Sequence, residues 1–256
     1  MIVLGIETSC DETAAALVRE GREILSSEIV SQIAIHQPFG GVVPELASQE
    51  HCSQILPVIE RALIQASCSL LTQVDLISVT YGPGLMGALL VGVNTAKTLA
   101  LSTHIPLVGV NHLEAHLYAA LMSAEVPPLF PCLGVILSGG HTAILFVEDI
   151  DRYFLIGQTI DDAVGEALAK VAKMMGLGYP GGPIIEELAK YGNDTAYSFR
   201  AGSVKEMEFA FSFSGLKTAV LYSLKPPLTE RIRQDIAASF QRAAFQDILK
   251  KTDRAA

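Results

Sequence analysis

Two histidines four residues apart, His112 and His116, lie in the run Val-Asn-His-Leu-Glu-Ala-His-Leu from Val110 to Leu117. At about 3.6 residues per turn they share one helix face, a spacing that suits two adjacent ligands on a transition metal. A solvent-exposed histidine pair has the same spacing, so the pattern alone leaves both readings open. Zinc peptidases of the H-E-x-x-H type need a carboxylate directly after the first histidine. Glu114 follows two positions after His112, about 200° round the helix, which argues against it as the base for a metal-bound water. A second reactive stretch is Glu7-Thr8-Ser9-Cys10-Asp11-Glu12-Thr13. Its hydroxyls and amides suit phosphate oxygens, while Asp11 or Glu12 suits a cation or a proton; a solvated hairpin is the alternative. Ser138-Gly139-Gly140-His141-Thr142 is a third polar turn, and because it joins two strands its binding would use turn amides rather than a helix dipole.

These groups need a framework, and the hydrophobic pattern supplies one. Ile2 to Ile6, Thr13 to Arg19 and Glu23 to Ser31 read as strands, with Glu20-Gly21-Arg22 as a tight turn. A helix is predicted from Glu45 towards Ala66, with Pro44 in its first turn and Pro57 kinking or dividing it. Asp75 to Thr80 reads as a strand and Ala88 to Leu101 as an apolar helix. The Gly82-Pro83-Gly84-Leu85-Met86-Gly87 segment between them lacks the lysine of a Walker loop, so its glycines are read as close-packing positions. Pro106 to Val110 is a strand that delivers the histidine helix.

Pro127-Pro128, with Pro131 beyond, marks a lobe boundary and divides the chain into 1–126 and 127–256. The opening pattern then returns as strand Leu133 to Leu137, the Ser138 turn, and strands Ala143 to Glu148 and Tyr153 to Thr159. This repeat predicts two similar α/β lobes facing one another across a cleft. Asp161 and Asp162 are read as caps of a helix through Met175, with a binding role as the alternative. Tyr179-Pro180-Gly181-Gly182-Pro183 is read as a rigid loop before a helix from Ile184 to Tyr191. Lys217 suits a phosphate, an acidic partner or simply the surface, and Glu230 to Lys250 has helical periodicity.

Composition bounds the rest. Half of the 256 residues are hydrophobic, enough for a substantial core. The formal charge is -9, but from Arg200 onward 10 Lys/Arg face 6 Asp/Glu. Contact with a polyanion is therefore expected to be local or shared with a partner. The four cysteines, Cys10, Cys52, Cys68 and Cys132, show no C-x-x-C spacing and are read as reduced thiols. Neither a signal peptide nor a membrane span is expected, which reads as a cytoplasmic protein.

Gly5 to Thr13, Gly41-Val42-Val43-Pro44-Glu45-Leu46-Ala47-Ser48, His112 with His116, Ser138 to Thr142, Tyr179 to Pro183 and Phe211 to Thr218 together resemble the TsaD family, formerly called Gcp or O-sialoglycoprotein endopeptidase. The resemblance implies an actin-like, Hsp70-like and sugar-kinase-like α/β fold with a nucleotide cleft between two lobes. It implies transfer of a threonylcarbamoyl group from threonylcarbamoyl-AMP, an adenylate-type substrate, to N6 of adenosine 37 in tRNAs that read codons beginning with adenine. It assigns His112 and His116 to one divalent metal, iron rather than zinc. Ile136, Leu137, Ser138, Gly139, Gly140, Gly182 and Glu186 match substrate contacts. Asp11 and Glu12 are assigned to holding the metal-bound ligand or accepting the amine proton. Expected partners are tRNA and TsaB-like and TsaE-like proteins, with no membrane. Two departures from the family pattern stand out. Leu168-Ala169-Lys170 lacks the family's ribose-binding carboxylate, and the chain stops at Ala256, before the adenine-binding segment and the third metal ligand. The expectation is an incomplete second lobe, with a catalytically impaired interaction module as the alternative function.

Overall fold

The computed structural model describes residues 1–123, 129–202 and 204–256, with Leu71 described by its backbone alone. Its contacts fall into two compact units, Met1–Ala124 and Glu125–Ala256. The boundary expected at Pro127-Pro128 lies outside the described residues.

The first unit opens with strands β1 (Ile2–Glu7), β2 (Glu12–Arg19) and β3 (Glu23–Ser31), then the short helix α1 (Ile33–His36). After a 3-10 turn come helix α2 (Pro44–Gln65), the single turn α3 (Leu70–Gln73), strand β4 (Leu76–Gly82), helix α4 (Met86–Thr103), strand β5 (Leu107–Asn111) and helix α5 (His112–Ser123). The sheet order is β3-β2-β1-β4-β5, antiparallel through the first three strands and parallel from β1 to β4 to β5. The apolar strand residues Leu4, Ile6, Leu17, Ile77 and Val79 are buried with Ile55, Val58, Ile59 and Ala62 of α2 and Ala96 of α4. Burying each large side chain contributes about 1.5–3 kcal/mol, and this face of the sheet holds the unit together.

Pro57 neither divides α2 nor ends it. It lies on the exposed side of the helix, where the carbonyl it leaves unbonded meets water. Ile55, Val58, Ile59 and Ala62 keep the other side packed on the sheet. The glycines of the β4–α4 connection serve close packing. A Cβ added at Gly84 would sit 2.5 Å from the Ser9 carbonyl oxygen, and one at Gly92 only 2.4 Å from Thr8 Oγ1.

The second unit begins with β6 (Cys132–Leu137), β7 (Thr142–Asp149) and β8 (Arg152–Gln158), again an antiparallel meander. Helices α6 (Val164–Met174), α7 (Gly181–Ala189), α8 (Ser214–Ser223) and α9 (Glu230–Ala255) follow. Ile144 of the sheet packs with Val171, Ile185, Leu216, Ile236 and Phe240 of these helices and with Phe211 and Phe213. The two phenyl rings stack with centroids 6.1 Å apart.

Two local expectations are corrected here. The cap position of α6 is Ala163, and its side chain makes no capping bond. Asp161 instead accepts the amides of Phe213 and Ser214 at 2.8 and 3.2 Å and the Ser212 hydroxyl at 2.6 Å, so it caps α8 across the fold. Asp162 accepts Lys170 Nζ and Lys217 Nζ, both at 2.6 Å, which ties α6 to α8 and removes Lys217 from the list of simple surface lysines. The stretch read as a rigid loop is already helical from Gly181, because Pro183 stands in the first turn, where no backbone donor is required.

Two glycines should therefore respond in opposite directions. In urea unfolding, Gly84→Ala is expected to cost about 1–3 kcal/mol, since the intruding methyl meets backbone. Gly215→Ala, in a helix with nothing within 4 Å of the added Cβ, should gain about 0.5–1 kcal/mol. Equal effects at the two positions would contradict the packing described.

Candidate functional site

The turn between β1 and β2 is held by buried polar groups from three elements. Thr8, on the turn, donates its hydroxyl to the Ala88 carbonyl at 2.8 Å, and the Leu85 amide donates to the Ser9 carbonyl at 2.7 Å, both at the start of α4. From α2, the fully buried His51 contacts the Cys10 carbonyl through Nε2 at 3.0 Å and the Thr13 hydroxyl through Nδ1 at 2.7 Å. A carbonyl only accepts, so Nε2 carries the proton and Nδ1 accepts from Thr13. Burial holds this imidazole below its usual value, against the Cys10 carbonyl and the charges of Glu7, Asp11 and Glu50, in keeping with a neutral ring. From the end of β3, Gln32 donates its amide to the Asp11 carbonyl at 2.9 Å. The Gln32 side chain in turn meets the buried His36 at 3.1 Å, and His36 Nδ1 accepts the Val43 amide at 3.3 Å.

This turn carries the acidic groups. Burial pushes the Glu7 carboxyl up, but hydrogen bonds from His112, Ser9 and Thr80 outweigh it and hold the group at about 2. Glu12 goes the other way: burial, then the charge and hydrogen bond of Asp11 and the charge of Glu7, push its carboxyl up to about 7. A carboxyl that titrates there is matched to accepting a proton at neutral pH.

The histidines sit at the end of β5. Asn111 Oδ1 accepts the amides of Leu113 at 2.8 Å and Glu114 at 3.4 Å, capping α5 and placing His112 in its first turn. The two Nε2 atoms are 3.1 Å apart and the rings meet edge to face. Two nitrogens bound to one ion at about 2.0–2.1 Å with near-tetrahedral angles stand about 3.3 Å apart, so the pair fits two cis ligand positions. Among the described residues no cluster of three or more His, Cys, Asp or Glu side chains completes such a site. Burial, then the neighbouring His112, hold the His116 imidazole below its usual value.

In the second unit, the Ser138 turn closes on itself, with Ser138 N donating to the His141 carbonyl at 2.8 Å and His141 N to Ser138 Oγ at 3.0 Å. Gly165 lets α6 begin against this turn: its amide donates to the Ser138 carbonyl at 3.2 Å, and an added Cβ would meet Gly139 Cα at 2.8 Å. Ile136 is buried on β6, whereas Leu137 is exposed. Gly182 has open space where a Cβ would be, and Glu186 is exposed on α7. Gly181 packs on α6, its added Cβ lying 2.6 Å from Ala169 Cα. Reasoning from sequence named Asp11, Glu12, His112 and His116 but passed over Glu7, Ser9 and His51. Glu7 and Ser9 lay inside the polar turn, yet nothing in the local pattern linked them to a histidine far along the chain.

Because folded Glu12 titrates at about 7 against an ordinary value of 4.5, the folded state binds its proton more tightly and stability falls as pH rises through that window. Glu12→Gln should therefore raise the melting temperature by a few degrees at pH 8 and leave it unchanged below about pH 4.5. Thermal melts across that range check this; a variant less stable at pH 8 would contradict it.

Comparison with known proteins gives the family of the chain. Residues 23–256 match the family model described as TsaD: tRNA N6-adenosine threonylcarbamoyltransferase. The chain is 58% identical to the protein of that name from Protochlamydia amoebophila, over 98% of this chain and 76% of that one. It is 53% identical to the one from Trichlorobacter lovleyi, over 100% of this chain and 75% of that protein. The chain thus spans about three quarters of these curated relatives. Among solved structures, full-length HypF aligns with TM-score 0.58 at 12% identity, over 99% of this chain and 46% of that one. Component A of the Acidaminococcus fermentans (R)-2-hydroxyglutaryl-CoA dehydratase aligns with TM-score 0.55 at 14% identity, over 100% of this chain and 79% of that one. These two likenesses show the fold, the α/β class of actin-like, Hsp70-like and sugar-kinase-like proteins. With the family model matching nearly the whole chain and relatives above half identity, the chain belongs to the TsaD family of tRNA N6-adenosine threonylcarbamoyltransferases.

Proposed function

We propose that this protein transfers the threonylcarbamoyl group of threonylcarbamoyl-AMP to N6 of adenosine 37 in tRNAs that read codons beginning with adenine. The observation that carries the reading is kinship at 58% identity, over 98% of this chain and 76% of the relative, to a protein named for that transfer. The N6 lone pair forms the new N–C bond to the carbamoyl carbon, the C–O bond to the phosphate breaks, and AMP leaves with that electron pair. The amine must lose a proton as its nitrogen acylates, and Glu12, titrating near 7, is the group suited to take it. Asp11 shares a hydrogen bond with Glu12 and adjusts its affinity for that proton. The Ser138-Gly139-Gly140 turn, the backbone at Ile136, Leu137 and Gly182, and the Glu186 carboxylate hold the adenylate. His112 and His116 hold a divalent metal, iron rather than zinc, since imidazole suits either and the family resemblance favours iron. When bound, the ion supplies Lewis-acid polarisation of phosphate and carbonyl oxygens.

The assignment extends to partners. A groove between α2 and α4 is lined by Cys52, Ile55, Leu56, Leu90, Val91 and Leu99, and Leu56 and Leu90 stand well exposed beside it. This is the surface we assign to a TsaB-like protein, with a TsaE-like protein completing the assembly on tRNA. Among the described residues no helix is long and apolar enough to cross a membrane, and we place the protein in the cytoplasm.

The test is incorporation of labelled threonine into unmodified tRNA, with ATP, bicarbonate, the adenylate synthase and the partner proteins supplied. The protein should transfer label, and His112→Ala or His116→Ala should cut transfer at least about 100-fold while leaving the fold intact. Elemental analysis of the purified protein should find iron ahead of zinc. Absence of transfer by the unaltered chain, or full transfer by both histidine variants, would sink the reading.

A further inference from the structure

His112 is engaged on both of its ring nitrogens. Nε2 points at His116 Nε2, 3.1 Å away, whereas Nδ1 faces Glu7 Oε2 at 3.4 Å and Ser9 Oγ at 3.2 Å. Glu7 is fixed from the other side, since the Ser9 amide donates to its Oε1 and Thr80 also bonds to the carboxylate. Glu7 and Ser9 belong to the turn that His51, Gln32 and α4 hold in place, and Asn111 fixes the first turn of α5. The contact thus joins two rigid pieces of backbone 105 residues apart in sequence.

We infer that Glu7 is a positioning residue for the metal pair: its carboxylate, helped by the Ser9 hydroxyl, selects the His112 tautomer whose Nε2 lone pair is turned towards His116. A carboxylate only accepts, so Nδ1 carries the proton and Nε2 does not. In the metal-free chain His116 Nε2 then donates to His112 Nε2. His112 is preset for an incoming ion, and His116 is the ring that has to exchange its proton between nitrogens. Carboxylates behind ligating histidines fix the ring and raise its basicity, and their loss typically lowers metal affinity by about 10–100-fold. The inference rests on the metal reading above and adds Glu7, which is not itself a ligand there.

Long-range proton–nitrogen NMR on the metal-free protein reads the tautomer directly, and Co(II) titration followed by its visible absorption reads affinity. His112 is expected as the Nδ1–H form. Glu7→Gln, whose amide can present either oxygen or nitrogen, should add Nε2–H form and weaken Co(II) binding by about 10–100-fold, with an unchanged circular-dichroism spectrum. Nε2–H on His112 in the unaltered protein overturns the inference, and decides the matter even if Glu7→Gln fails to fold. Unchanged Co(II) affinity in a folded Glu7→Gln overturns it as well, leaving the metal reading intact. An unaltered protein that binds no Co(II) overturns the metal reading itself, and the inference with it.

Discussion

The constraint on which the first unit depends is the cost of burying a polar turn. Thr8, Ser9 and Thr13 are almost completely buried, and unpaired polar atoms there cost about 1–3 kcal/mol each. The fold meets this by bringing a partner to each: α4 to Thr8 and Ser9, His51 to Cys10 and Thr13, and Gln32 to Asp11. Once those partners are in place the turn has little freedom left. Glu7 is then held low by hydrogen bonds from His112, Ser9 and Thr80, while Glu12 is pushed up by burial first and then by Asp11 and Glu7.

The close approach of α4 is part of the same constraint. Gly84 and Gly92 sit where any side chain would collide with Ser9 or Thr8, so the glycines of a segment that superficially resembles a phosphate loop are consumed by packing. The second unit uses a related device at a different place: Gly165 lets α6 start against the Ser138 turn, and Gly181 lets α7 start against α6. Asp161 and Asp162 then fasten α8 to that framework, one through its amides and one through Lys217. In both units a polar turn between antiparallel strands is braced by the first turn of a helix admitted by a glycine.

Much of this was legible in the sequence because it is local. The short apolar runs of Ile2 to Ile6 and Thr13 to Arg19, the repeat of the opening meander after Pro131 and the histidine spacing all depend on neighbours a few residues away. What the pattern did not disclose was tertiary. Asp161 resembled a cap for the helix directly after it, and only the folded chain shows the vacant amides of Phe213 and Ser214 nearer to hand. Pro57 read as kinking or dividing the helix, and that it does not divide α2 follows from its exposed position, which cannot be seen without the sheet beneath. Glu7 read as one acid among three, since its partner His112 comes directly after a strand two places across the sheet. The family resemblance supplied the chemistry, and the structure supplies the reason those residues are held where they are.

The central claim is that the Glu7–Glu12 turn is as firmly fixed as the sheet that carries it. Native-state hydrogen exchange tests this at two amides that report on it, Gln32, bonded to the Asp11 carbonyl, and Leu85, bonded to the Ser9 carbonyl. Both are predicted to exchange only through the same global opening as the amides of β1, with the same opening free energy and the same dependence on denaturant. Exchange of either amide through a small local opening, well below the stability of β1, would show a turn that moves on its own and would contradict the account.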